Sequence, residues 1–306
     1  MSADKTTSPI KSALRLIIIA LLIALALVLL PSAAIHSYAE VITLPIDESG
    51  GVPPYDWGYT KDGGYADPSI TVAFEEGRFK QTNWLSMTVQ VKDPSQVRTL
   101  KAGPYGSTQE VQGAALAKRV KAVAAIGGDF FLYHNYGYVV RQGQFYRNKP
   151  TGEHDVLIID RDGNLNVLIR PDQAALDLYE KEHKASIVNA FTFGPALVVE
   201  GEIIDDVLNI KNDFLKAQRI ALAQTGPLAY RVIYCEGPND RNSVGLTMGE
   251  FAQLVGSFED VDIAYNLDGG SSATIVFQNE KINGPYAQRM RSIGDIIFFA
   301  SAWKSE

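Results

Sequence analysis

From residue 69 onward, apolar and polar positions alternate with a period of two along many short runs. Ile70-Thr71-Val72-Ala73-Phe74 and Ser86-Met87-Thr88-Val89-Gln90-Val91 read as half-buried strands, the second stopped by Asp93-Pro94. Val156–Asp160 and Leu165–Ile169 flank Arg161-Asp162-Gly163-Asn164, whose Asp-Gly pair marks an antiparallel hairpin. Helical spacing is scarcer. Thr108–Val123 carries apolar residues at Val111, Ala114, Ala115, Ala117 and Val120, and Gln173–Lys184 is a second candidate. A third helix starts at Thr247, which has capping-box spacing to Glu250, runs through Phe251, Leu254 and Val255, and stops at Gly256. Strands interrupted by a few helices, with at least one hairpin, predict a single α+β domain built on a mixed, largely antiparallel β-sheet.

One segment has no polar face. Fifteen consecutive apolar residues, Leu16 to Leu30, follow the basic residues Lys5, Lys11 and Arg15, which is the layout of an export signal. Counting on through Pro31 and Ser32 to Ile35 reaches the roughly 20 residues that span hydrocarbon. Ser37-Tyr38-Ala39 presents small residues for a signal peptidase, with a cut before Glu40. A retained membrane anchor is favoured, and secretion after cleavage near Ala39 is the alternative. In both, the basic flank keeps the N-terminus cytoplasmic and sends the bulk of the chain across. The expected organisation is a cytoplasmic tail over 1–12, an anchor or signal peptide over 13–35, an irregular linker over 36–68 and one exported domain over 69–306. The linker is assigned on its density of Gly, Pro and Asp.

Charge and cysteine content narrow the partners. The net charge is −7, and the export segment is itself basic, so the acidic excess lies in the exported part. That disfavours nucleic acid. Cys235 is the one cysteine, so no internal disulfide holds the domain together.

Polar side chains concentrate in a few places. Val123–Ile126 is an apolar run entering Gly127-Gly128-Asp129-Phe130-Phe131, with His134 and Asn135 just beyond; Gly128 would let backbone approach a ligand closely. The plainer reading is a strand end in which Asp129 accepts backbone hydrogen bonds. Tyr265-Asn266-Leu267-Asp268-Gly269-Gly270-Ser271-Ser272 joins two apolar stretches. A turn needs only the Asp-Gly pair; Asn266, Ser271 and Ser272 add small hydrogen-bonding groups suited to an oxygen-rich ligand. Arg219 is an isolated cation in Ala217–Ala223, and Arg291 opens an apolar terminal run through Phe299.

Taken in chain order, AIGGDFF, TFGPALVVEGE, RIALAQTG, GLTMGEFAQLV, AYNLDGGSSATIVF and RSIGDIIFF resemble the phosphodiester glycosidase domain family, over roughly Ser69 to Ala300. The resemblance implies hydrolysis of the glycosidic carbon–oxygen bond of a sugar-1-phosphodiester, an N-acetylglucosamine-like sugar being released and the phosphate staying on its carrier. Two blocks depart from the family pattern, which commonly reads Asn-Gly-Gly-Phe-Phe and Asp-Gly-Gly-Gly-Ser-Ser where this chain has Gly127–Phe131 and Asp268–Ser272.

Carried onto this chain, the resemblance makes Asp268, Asp129 and Arg219 the catalytic candidates. Asn266, Gly269, Gly270, Ser271, Ser272, Gly128, His134 and Arg291 are the candidates for substrate binding. Two carboxylates serve an oxocarbenium-like transition state, and a cation offsets charge on a phosphate leaving group. Asp129, Asp268 and nearby carbonyls could hold a divalent cation, calcium or magnesium, although no ligand spacing demands one. The partners expected are a phosphate-linked glycopolymer and the membrane that Leu16 to Leu30 enters. The rival expectation is a non-catalytic module that holds a cell-wall glycan without cutting it.

Overall fold

Three antiparallel sheets share one core in the computed structural model, which describes residues 39–210, 213–238, 240, 242–284 and 291–305. The largest has eight strands in the spatial order Glu202–Ile203, Ala196–Val199, Ile263–Leu267, Arg219–Gly226, Ala229–Cys235, Thr82–Val91, Ile70–Phe79 and Tyr65–Asp67. A second has five, Leu165–Leu168, Val156–Asp160, Ile187–Thr192, Gly137–Arg141 and Gln144–Lys149. A third has five, Glu280–Lys281, Ile275–Phe277, Ala124–Gly127, Asp295–Phe299 and Val97–Lys101.

Period-two alternation explains how the sheets pack. Leu222 and Val232 of the large sheet, Leu157 and Phe191 of the second, and Ile126, Ile275 and Ile297 of the third meet in the shared cluster. The intervening residues face outward and are covered by helices. Ala221, Ala223 and Ile233 lie under α4 (Met248–Gly256) through Phe251 and Val255. Ala125 and Phe298 lie under α1 (Gly113–Arg119) through Leu116 and Ala117. Tyr138, Val140 and Ile158 lie under α2 (Gln173–His183) through Leu176. A short α3 (Asp205–Leu208) packs beside α4.

Most expected elements are present. The hairpin around Asp162-Gly163 pairs Leu165 with Ile159, and Thr247 and Glu250 close a capping box on α4. Three expectations differ. Every strand pairing among the described residues is antiparallel, so the parallel part of a mixed sheet is not found. The helix expected over 108–123 shrinks to α1. Val111 bridges to Ile293, Gln112 is extended, and Lys121 takes a left-handed φ of 54° before the strand at Ala124.

The lead-in expected to be a linker is built into the fold from Glu40 onward. Glu40–Val41 pairs with Trp303–Lys304, and buried Tyr65 sits on the edge strand with its hydroxyl donating to Asp67 at 2.9 Å. Arg98 donates to the carbonyls of Asp47 and Ser49. Tertiary contacts of this kind leave no periodic trace in sequence. The apolar segment Leu16 to Leu30 lies outside the described residues, among which no helix is long and apolar enough to cross a membrane.

Candidate active site

The C-terminal ends of two strands meet where the third sheet adjoins the large one. Ala124–Gly127 delivers Gly128 and Asp129, Ile263–Leu267 delivers Asp268, and the Asp268 amide donates to the Gly128 carbonyl at 3.3 Å. A cleft opens there, walled by Asp129, Asp268, Ser272, Phe130, Tyr133 and Glu110.

Asp129 is buried and fully engaged. Its Oδ1 accepts from Arg141 Nη2 at 2.7 Å and from the Phe131 amide at 3.3 Å, while Oδ2 accepts from the Thr192 amide at 3.0 Å. The guanidinium of Arg141 also donates through Nε to Asp295 Oδ2 at 2.7 Å, and it lies 4.0 Å from the centre of the Phe191 ring. Burial alone would lower the pKa of Arg141, but Asp129 and Asp295 together hold it above its ordinary value. Burial raises that of Asp295 despite the pull of Arg141, and Asp129 adds to the rise. One cation thus serves two carboxylates, and Asp295 Oδ1 has no hydrogen-bond partner.

Asp268 is held differently. Burial pushes its carboxyl up to about 6, opposed by a hydrogen bond from Ser272 and by the charge of Arg291, and assisted by Asp129. The turn behind it explains the glycines. Gly270 takes a left-handed φ of 57°, and a Cβ on Gly269 would come 2.8 Å from the Gln218 carbonyl. Ser271 is half-buried beside Ser272 in the same turn. Arg291 is exposed on the opposite rim; it donates to the Tyr133 hydroxyl at 3.1 Å, and that hydroxyl donates to Glu110.

The expected site residues therefore separate into two groups. Gly128, Asp129, Asp268 and Ser272 line the cleft, with Arg291 reaching Asp268 electrostatically. Arg219 sits at the same sheet end, next to the pair Ile220 and Leu267, but its guanidinium donates to the carbonyls of Leu246 at 2.9 Å and Leu215 at 2.8 Å. Asn266 donates to the Gly194 carbonyl at 2.7 Å and bolts down the turn into Ala196–Val199. His134 is half-buried between Phe130 and Tyr136, and burial and His154 hold its pKa below the ordinary value.

Sequence reasoning missed Arg141, Asp295 and Glu110. The signal that singled out Arg219, a lone charge in an apolar strand, applies equally to Arg141 after Val139-Val140 and to Asp295 before Ile296-Ile297. Among the described residues no group of three or more His, Cys, Asp or Glu is placed to hold a metal ion.

A profile of the phosphodiester glycosidase family matches residues 120–300, the span that contains every wall of the cleft except Glu110. No curated protein matches the sequence. Among solved structures, the catalytic domain of zebrafish N-acetylglucosamine-1-phosphodiester alpha-N-acetylglucosaminidase, auto-inhibited by its pro-peptide, superposes with a TM-score of 0.62 at 17% identity. That alignment covers 86% of this chain and 98% of that one. A hypothetical protein from Synechocystis aligns with a TM-score of 0.49 at 14% identity, over 75% of this chain and 62% of that one. With its profile match spanning more than half of the sequence and lying over the cleft, this chain belongs to the phosphodiester glycosidase family.

Proposed function

We propose that the protein hydrolyses the glycosidic bond of a sugar-1-phosphodiester, an N-acetylglucosamine-like sugar carried by an envelope or extracellular glycopolymer. The observation that carries this reading is Asp268: a carboxyl raised to about 6, set beside the Asp129–Arg141 pair and facing Arg291 across one cleft. A group titrating there is largely ionised at neutral pH and still basic enough to take a proton.

The chemistry divides among residues already placed. Water attacks the anomeric carbon and gives its proton to Asp268, while the carbon–oxygen bond to phosphate breaks and the electron pair leaves with the phosphate monoester. Ser272 holds the Asp268 carboxyl in place. Asp129, with both oxygens saturated by Arg141 and two backbone amides, is a fixed negative charge near the developing oxocarbenium ion and not a proton carrier. The phosphate is a weak base and needs charge stabilisation more than protonation. Arg291 supplies it, since the Arg219 guanidinium is committed to Leu246 and Leu215.

An extracytoplasmic location rests on the basic-then-apolar N-terminus, and phosphate-linked envelope polymers would be met there. The test is to incubate the purified full chain with an aryl N-acetylglucosamine-1-phosphodiester and follow free sugar and aryl phosphate. Release of both, lost in Asp268→Asn, supports the reading. Saturable binding of the sugar without release by the unaltered chain supports the glycan-holding module instead.

A further inference from the structure

Phe193, Phe130, His134, Tyr136 and His154 form an arc of half-buried rings, with successive centroids 4.7, 4.3, 4.6 and 4.8 Å apart. Phe130 in the arc lines the cleft of Asp129 and Asp268. Phe193 and His154, its two ends, line a separate cavity of ≈ 300 Å³ with Pro195, Ile204 and Val207. Phe193 backs onto the shared core and Tyr136 and His154 stack on each other, while all five rings stay partly exposed; a contiguous strip of partly exposed aromatic carbon marks a recognition surface.

The arc contains no Asp, Glu, Lys or Arg, and the cavity beside it adds Glu153 and Asp155, the latter taken up by the Arg170 and Ala196 amides, a lining that favours an uncharged, amphipathic ligand over an anion. Burial, His154 and Arg147 hold the His134 pKa below its ordinary value, which favours the neutral ring. The polar atoms sit at the ring edges: the Tyr136 hydroxyl lies 3.4 Å from His154 Nε2, and His154 Nδ1 lies 2.9 Å from Thr151 Oγ1. Arg170 on the cavity rim is paired with Asp206. A pyranose has this character, with apolar C–H faces for aromatic carbon and hydroxyls for the edges.

We propose that the arc and its cavity bind a second sugar unit, attached to the sugar whose bond to phosphate is cut, so that the preferred substrate is an oligosaccharide-1-phosphodiester. This rests on reading the cleft as a sugar-phosphodiester hydrolase. The charged phosphate stays at Arg291, on the rim, and the arc, which contains no Asp, Glu, Lys or Arg, takes the glycan side.

Two aryl phosphodiesters compare directly on the full chain, one of N-acetylglucosamine and one of its β-1,4-linked disaccharide. The disaccharide should give a kcat/KM about tenfold or more above the monosaccharide. Tyr136→Ala and His154→Ala should each lower that ratio severalfold, while Tyr136→Phe, which keeps the ring, should retain it. A ratio near one in the unaltered chain, or one that both alanine variants leave in place, overturns the proposal. A second readout needs no turnover: the free disaccharide, titrated into Asp268→Asn, should shift the ring-proton resonances of His134 and His154. If neither phosphodiester is cleaved but the histidines shift, the hydrolase reading fails and the glycan subsite stands. If the histidines do not move, the subsite is excluded.

Discussion

Gly128 packs against Asp295 so closely that a Cβ on the glycine would come 2.3 Å from the Asp295 Oδ1. That oxygen is buried and has no hydrogen-bond partner, and its other half is tied to Arg141. The glycine entering the cleft is thus required by a buried carboxylate packed behind it.

Gly128→Ala should therefore act through stability. The clash cannot be relieved by a flexible side-chain end, because Asp295 is held by Arg141, and overpacking of this kind costs about 1–3 kcal/mol. Thermal unfolding should show a clear drop in Tm, with the substitution Gly226→Ala, at a glycine without positive φ whose added Cβ would meet only the Ala229 Cβ at 3.9 Å, as the comparison for an added methyl without the clash.

Arg141→Met should be more damaging and pH-dependent. Removing one partner of a buried ion network costs about 3–5 kcal/mol, because Asp129 and Asp295 are left buried without a counter-charge. Buried, unpaired carboxyls have folded-state pKa values above their unfolded ones, so the folded state binds the extra protons. Stability is then retained in acid and lost as pH rises through the folded-state values. Denaturant midpoints at pH 5 and pH 8 should diverge more for Arg141→Met than for the unaltered chain, with the variant weaker at pH 8.

Asp268 makes a separable prediction for catalysis. Acting as base, it works only when ionised, so kcat/KM should rise with pH to a plateau, with its midpoint near the value of about 6 set by burial. Asp268→Asn should remove about 100-fold or more of the turnover and leave unfolding cooperative. A full-rate Asn variant would exclude Asp268 from the mechanism. For folding the sign is opposite: a carboxyl raised on folding contributes stability in acid that fades as pH climbs toward 6, and the Asn variant should lose that dependence.

How much of this was legible in sequence differs between fold and site. Strands such as Ile70–Phe79 and α4 were legible because one buried face imposes a period and Thr247 and Glu250 mark a start. The lead-in was not, because Leu44 packs into the cluster of Leu100 and Phe298 and the Asp47 carbonyl is held by Arg98, partners far along the chain. In the site, Asp129 and Asp268 stood out as acids beside paired glycines. Which cation served which acid was not legible: Arg141 and Arg219 are both lone charges at apolar strand ends, and only the meeting of two sheets decides that Arg141 points at Asp129. The same limit hid Asp295, 154 residues from the arginine that holds it.

Arg291 and Arg219 then make opposite predictions. Arg291 faces Asp268 and lowers its pKa, whereas Arg219 is spent on the carbonyls of Leu246 and Leu215 and is drawn electrostatically toward Asp213. Arg291→Ala should therefore move the acidic limb of the pH–rate profile upward, since losing a nearby positive charge makes the Asp268 carboxylate harder to form. It should also raise KM for the phosphodiester about tenfold or more, with Arg291→Lys recovering part of the loss because a point charge still attracts phosphate without the planar fork. Arg219→Met should show its effect chiefly in unfolding, by taking the guanidinium from the Leu215 carbonyl and leaving the Leu246 carbonyl only the Ala217 amide at the large sheet's end. Competition by inorganic phosphate, measured in each variant, checks the assignment: weaker inhibition in Arg291→Ala with unchanged inhibition in Arg219→Met puts the phosphate at Arg291, and the reverse pattern returns it to Arg219.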